Sequence, residues 1–355
     1  MANPYAMKPA SSFWSDAVSG KRPKDMDPIT SVPFRLANSD RIATAGSCFA
    51  QHIGRALKAE NFCYFLTEDA PLTAGAADEG YGLFSARFGN VYTVAQFRQL
   101  FQRAFGLFEP VDAAWTNRGG RHVDPFRPRI QAGGFASIAE LEADREAHLG
   151  AVRRMFEDSD AIVFTLGLTE GWRSRADKAV FPLAPGVVAA GLPEQAYEFV
   201  NYDVFSIIDD FKALVGMVRE INPAVKFIIT VSPVALVATY EERHVLVSTI
   251  ASKSILRTAC DVLARDIPGV AYFPAYELIT GPQAGSAFFE KDLRGVTEEG
   301  VAHVMSIFRR HYLGGAGVRS EPRMGGQDVA SYDERRDAER LQEIICDEEA
   351  IVASL

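Results

Sequence analysis

The stretch Arg41-Ile42-Ala43-Thr44-Ala45-Gly46-Ser47-Cys48-Phe49-Ala50 passes from an apolar, β-branched run into a glycine-containing turn and then into helical spacing. It predicts a strand over 41–45, a sharp turn at Gly46 and a helix over 49–60. Three more runs share this form. Residues 161–166 lead into Gly167-Leu168-Thr169-Glu170-Gly171-Trp172, 225–231 into Ser232-Pro233-Val234, and 270–273 into Pro274-Ala275-Tyr276-Glu277. Helical patterns cover 138–158, 204–221 and 245–266. Nearly continuous apolar strands alternating with helices indicate a parallel sheet covered on both faces. The expected fold is therefore α/β, a three-layer α/β/α arrangement around a mostly parallel, flavodoxin-like sheet. Ligands of open parallel sheets bind outside the carboxyl ends of the strands, so the four turns are expected to converge on one site.

The core domain is read as 35–313, after an irregular arm over 1–34 and before a glycine linker and charged helix over 314–355. That helix, 331–347, carries an apolar stripe of Leu341, Ile344 and Ile345, suited to docking on the parent domain or to a homo-oligomer contact. Residues 67–134 exceed a plain connection and form an insertion. Within it, Thr93-Val94-Ala95-Gln96 has capping-box form ahead of Phe97, Leu100, Phe101 and Phe105. The segment 118–129 gathers Arg118, Arg121, His122, Arg127 and Arg129 beside Asp124. It reads as a solvated loop, with an anion-binding lid as the alternative.

The 48% hydrophobic and 23% charged composition is that of a globular chain. No run reaches the ~20 apolar residues of a membrane helix. Net charge −9 disfavours a nucleic-acid partner. The first residues lack the basic-then-apolar pattern of an export signal, so a cytoplasmic location is expected. Cysteines 48, 63, 260 and 346 have neither metal-ligand spacing nor disulfide density, and are read as reduced thiols with no metal.

The sequence contains no Gly-x-Ser-x-Gly elbow, Walker loop, His-Glu-x-x-His or dinucleotide glycine fingerprint. Attention falls on Gly46-Ser47-Cys48. A cysteine at the start of a helix gains from the free N–H groups and the dipole, which lower its pKa and can hold an oxyanion. Cys48 is a candidate nucleophile on that ground. It reads equally as a small buried hydrophobe with Ser47 as a helix cap.

The string Gly46-Ser47-Cys48-Phe49-Ala50 resembles the motif that names the GSCFA family. The resemblance extends through Arg87-Phe88-Gly89-Asn90-Val91-Tyr92-Thr93, the Gly167 and Ser232 turns, Ser252-Lys253-Ser254 and 272–277, spanning about 40–312. That family looks like a branch of the SGNH, or GDSL, hydrolases, which are three-layer α/β/α esterases and acyltransferases. The resemblance implies acyl transfer with Cys48 at the nucleophile position and Ser47 as the alternative. It also implies oxyanion or substrate contacts from Gly89, Asn90, Thr169 and Glu170. Asp292 falls in the Asp-x-x-His block, which reads Asp292-Leu293-Arg294-Gly295, with glycine at the base. His52, four residues after Cys48, and His244 are the replacement candidates, ranked in that order. Ser232, Lys253 and Tyr276 are further pocket candidates. No cofactor is required, acyl-coenzyme A suits the role of donor substrate, and a small molecule or glycan suits that of acceptor. A catalytically lapsed scaffold that binds a glycan or a protein is the rival reading.

Overall fold

The computed structural model describes residues 3–70, 80–131, 133–314 and 346–355. Strands Ile42–Gly46 (β1), Ala161–Leu166 (β2), Lys226–Val231 (β3) and Val270–Tyr272 (β4) form a parallel sheet in the order β1-β2-β3-β4. The register sets Gly46 opposite Thr165, and Leu166 opposite Val231. At the outer side of β1, Ile42 N–H donates to Cys63 O and Phe65 N–H to Ile42 O, each at 2.9 Å. The next segment in sequence thus lies on one side of β1 and β2 on the other. Strand addition reverses at β1, and the crevice beyond its carboxyl end is the binding position that such a reversal creates.

Helices flank both faces. They are Ala50–Ala59 (α1), Val94–Ala104 (α2), Ile138–Asp158 (α3), Val204–Ile221 (α4), Val245–Asp266 (α5) and Glu298–Tyr312 (α6). Alternate strand residues serve alternate faces, as the two-residue period requires. Ala43, Ala45, Ile162, Phe164, Phe227 and Ile229 pack with Phe97, Met155, Phe211 and Leu256 of α2 to α5. Ile42, Val163, Ile228 and Ala271 pack with Ile53 and Leu57 of α1 and Phe308 and Tyr312 of α6. Phe97 stacks on Phe164 with centroids 4.4 Å apart. Burying each such ring contributes about 1.5–3 kcal/mol.

Local signals fix the helix starts. The side chains of Thr93, Ser137, Asp203 and Thr297 accept the N–H of Gln96, Glu140, Ser206 and Gly300 respectively. Each cap contributes about 1 kcal/mol. Gln96 Oε1 accepts Tyr92 N–H at 3.0 Å, one residue before the cap, so the capping box expected in the insertion forms with its return bond shifted by one residue.

After β2 no helix follows at once. Glu170–Ser174 pairs antiparallel with Val180–Phe181 and Tyr197–Asn201. Glu170 therefore opens a strand directly after Thr169, where the other strand-end turns lead toward helices. The insertion folds against this small sheet, with Trp115 and Phe126 packed on Phe181 and Tyr197. The basic segment is not simply solvated. Asp124 is fully buried between Arg127, at 3.0 Å, and Arg145, at 3.3 Å, and Arg127 reaches Asp144 on α3 at 2.6 Å. Burial opposes ionisation of Asp124, but Arg127, Arg145 and Arg103 outweigh it and hold the carboxyl well below its usual range.

The arm at 3–34 is largely irregular. Asp27 on it pairs with Arg310 at 2.8 Å and His311 at 2.9 Å on α6. Of the C-terminal helix expected at 331–347, all but Cys346 and Asp347 lies outside the described residues, and those two are not helical. The described terminal helix is Glu349–Ala353. Among the described residues no helix is long and apolar enough to cross a membrane.

Candidate active site

Gly46 has φ +132°, and a Cβ there would sit 2.3 Å from Thr165 O, so only glycine lets β1 lie this close to β2 at its end. The backbone is fastened on two sides, by Ser47 N–H to Thr165 O at 3.0 Å and Val91 N–H to Gly46 O at 2.8 Å. The Ser47 amide is thus already engaged. Cys48 and Phe49 form the turn that starts α1, with Ala50 N–H donating to Ser47 O and Gln51 N–H to Cys48 O. Cys48 is 3% exposed.

The thiol lines a cavity at the strand ends together with Ser47, Tyr92, Leu168, Ser232, Lys253 and Glu348, which leaves open space of only ≈ 10 Å³. Lys253 lies well inside α5 and is buried. Its Nζ donates to Gly167 O at 2.5 Å, and the neighbouring Ser252 Oγ accepts from Thr169 N–H at 3.0 Å. Burial pulls the Lys253 amine down from 10.5 to about 8, against the opposing influence of Glu348, Cys48 and Cys346. Arg294 enters from the block that ends in Gly295. Its Nε donates to Ala235 O at 3.0 Å, and its Nη2 lies 3.5 Å from Glu348 and 3.7 Å from Cys346 Sγ.

The C-terminal segment occupies the cavity mouth. Cys346 Sγ lies 3.0 Å from Cys48 Sγ, Asp347 Oδ2 accepts Asn90 N–H at 3.3 Å, and Glu348 N–H donates to Tyr92 OH at 3.2 Å. Arg129 Nη1 donates to Cys346 O at 3.3 Å. The contact with Cys346, followed by burial and the Glu348 charge, pushes the Cys48 thiol well above its usual value, and Arg294 opposes this only in part. With the segment docked, Cys48 is therefore a protonated thiol, whatever the helix terminus offers it. Burial likewise raises the carboxyl pKa of Glu348 to about 6.

The sequence candidates divide. Cys48, Ser47, Ser232 and Lys253 share the cavity lining. Gly89, at φ +69°, and Asn90 stand beside it against Asp347. Thr169 is buried, and its hydroxyl and that of Ser47 have no hydrogen-bond partner among the described residues. Glu170 is turned away, accepting from Thr239 Oγ1 at 2.6 Å and Tyr240 N–H at 3.0 Å. Tyr276 is partly buried against the core that the sheet shares with α2 to α5. Asp292 is exposed and closes a local turn by accepting the N–H groups of Arg294 and Gly295, each at 3.0 Å.

No histidine is among the residues lining the cavity. The His52 ring lies against Phe49, with centroids 5.3 Å apart, and burial, aided by the Arg55 charge, lowers its pKa to about 4. His244 is an exposed cap of α5, its Nδ1 accepting Leu246 N–H at 3.1 Å. His148 pairs with Glu68 at 2.7 Å, and His303 stacks on Phe288. Sequence reasoning did not anticipate Arg294, Tyr92, Cys346 or Glu348 as site residues. The first two were visible inside motif blocks, whereas the last two carried no local signal.

A parallel α/β sheet with a thiol and a buried amine at its switch-point crevice defines an α/β protein whose site is suited to nucleophilic chemistry. The chain matches the sequence model of the GSCFA family over residues 41–308, and it belongs to that family. No curated protein matches it significantly.

Proposed function

We propose that this protein is an acyl-transfer enzyme of the SGNH kind, with the three-layer arrangement of that superfamily and Cys48 as its nucleophile. The observation that carries the reading is that the Cys48 thiol and the buried Lys253 amine line one cavity at the carboxyl end of β1, with the Asn90 amide beside it holding Asp347. With a pKa near 8, Lys253 is partly neutral at physiological pH and suits a general base. In the proposed reaction the substrate displaces residues 346–348, and Lys253 takes the Cys48 proton. The thiolate attacks an ester or thioester carbonyl, and Asn90 N–H, which now holds the Asp347 carboxylate, stabilises the oxyanion. Lys253 then protonates the leaving group; in the second half-reaction it accepts the proton of the incoming hydroxyl, from a glycan or from water, and returns it to the Cys48 thiolate that departs as the thioester bond breaks. Arg129 and Arg294 suit an anionic donor such as acyl-coenzyme A, and the unpartnered Ser47 and Thr169 hydroxyls suit polar substrate atoms. The glycan acceptor rests on the superfamily resemblance. A cytoplasmic setting fits a coenzyme A donor.

The rival reading, a lapsed scaffold that binds a glycan or protein, is favoured by Gly295 and by the lack of a histidine lining the cavity. Incubation of the Glu348→Gln protein, whose terminal segment is held more weakly, with acetyl-coenzyme A and with short p-nitrophenyl esters separates the two. The expected result is an acyl adduct on Cys48 by intact mass and peptide mapping, absent in Cys48→Ser and in Lys253→Met. No adduct and no turnover on either donor would remove the enzyme reading in favour of the binding module.

A further inference from the structure

We infer that Cys48 and Cys346 are a redox pair, which a low-molecular-weight disulfide converts into an intramolecular disulfide that seals the C-terminal segment over the strand-end cavity. The inference goes beyond acyl transfer and does not require it.

The two sulfurs, 298 positions apart in sequence, lie 3.0 Å from each other, about 1 Å beyond the ~2.05 Å of a disulfide bond. Both residues are buried, at 3% and 4% exposure. The approach is held on either side of Cys346. Its carbonyl accepts from Arg129, the Asp347 carboxylate accepts from Asn90 N–H, and Glu348 bonds Tyr92 OH through its N–H and Arg294 through its carboxylate. These anchors give the second thiol a high effective concentration at the first. The remaining cysteines are placed differently, since Cys260 is buried in the core that the sheet shares with α2 to α5 and Cys63 is exposed on the outer edge beside β1. Among the described residues of the segment, 349–355 bury no side chain and 346–348 make the contacts to the cavity, so these three can lift away without disturbing the sheet.

The chemistry balances with the small disulfide as oxidant. In an opened state the Cys346 thiolate attacks one sulfur of RSSR, forming Cys346–S–SR and expelling RS⁻. On redocking, Cys48 gives up its proton and attacks the Cys346 sulfur, and the second RS⁻ leaves and is protonated. Two protein thiols lose two electrons and two protons, and RSSR becomes two RSH. A small dithiol reverses the sequence. The reduced protein has a reversibly covered cavity, and the oxidised protein a covalently closed one.

The test uses the full-length protein treated with oxidised glutathione, quenched with iodoacetamide in guanidinium chloride so that every free thiol is labelled, digested with trypsin without reduction and mapped by mass spectrometry. The expected product joins peptide 42–55 to peptide 341–355, with loss of Cys48 labelling that dithiothreitol restores. Cys346→Ser, its fold checked by circular dichroism, is expected to lose the cross-link and to retain Cys48 labelling after dithiothreitol. Recovery of the two peptides as free thiols or as separate glutathione adducts, or cross-links to Cys63 or Cys260 in their place, would overturn the pairing. Because the readout is a covalent map, failure of acyl transfer leaves this result unaffected.

Discussion

Replacing Lys253 with methionine keeps most of the side-chain volume in the cavity and removes a cation that folding has to desolvate. The amine ionises near 10.5 when free and at about 8 in the fold, with burial as the leading cause. Between those values the unfolded chain binds more protons than the native one, so native stability rises with pH across the window. At pH 7 the wild type therefore carries a penalty of about 3 kcal/mol, which falls by about 2 kcal/mol on going to pH 9.5. For a chain of 355 residues, about 3 kcal/mol corresponds to roughly 4 °C in Tm. Urea unfolding of wild type and Lys253→Met at pH 7 and 9.5 is the assay. The expected result is a variant more stable at pH 7, with a margin that narrows at pH 9.5. The lost partner of Glu348 and of Gly167 O offsets part of the gain. Repeating the pair in a Glu348→Gln background, where that carboxyl cannot titrate, keeps the same direction. A margin that does not change with pH, or a variant less stable throughout, would refute the idea that Lys253 is a buried, strained base. The same variant is expected to lose acyl-enzyme formation, a trade of activity for stability.

Gly46→Ala places a Cβ 2.3 Å from Thr165 O at φ +132° and is expected to cost more than about 4 kcal/mol in urea or to abolish soluble expression. Gly216→Ala, in open space on α4, is expected to gain about 0.5–1 kcal/mol, and equal outcomes for the two would remove the close-approach argument. His52 ionises at about 4 in the fold against 6.5 when free, so the unfolded chain takes up its proton first and stability falls as pH drops from 6.5 to 4. His52→Leu is expected to remove up to about 3 kcal/mol of that loss in a pH series of denaturation midpoints, and an unchanged slope would show that its ring is not desolvated as described.

Much of the fold was legible because it is encoded locally. Apolar runs of four to seven residues gave all four central strands to within a residue at either end. Three-to-four spacing gave α3, α4 and α5 with their bounds, and Thr93 with Gln96 announced α2. The small antiparallel sheet escaped because its strands are short and polar on one side, and because Thr169 and Glu170 have the composition of a cap. In the basic segment 118–129, Arg118, Arg121 and Arg129 are exposed as a solvated loop requires, but the burial of Arg127 with Asp124 is not legible, for a related reason. A guanidinium that is buried because two carboxylates surround it, as at Arg127, has the same sequence signature as a solvated one.

The parallel α/β architecture, the family and the place of Cys48 at the strand-to-helix turn of β1 are all written in local sequence, since periodicity, turn chemistry and motif are properties of neighbouring residues. The surroundings of that thiol come from the folded chain. It brought Lys253 from α5 and Arg294 from the turn before α6 to the cavity, left His52 against Phe49, and set Cys346 and Glu348 over the site. Desolvation and long-range contact set the ionisation of Cys48 and Lys253. Both depend on which distant segments fold against the end of the sheet, and no local window of sequence contains that information.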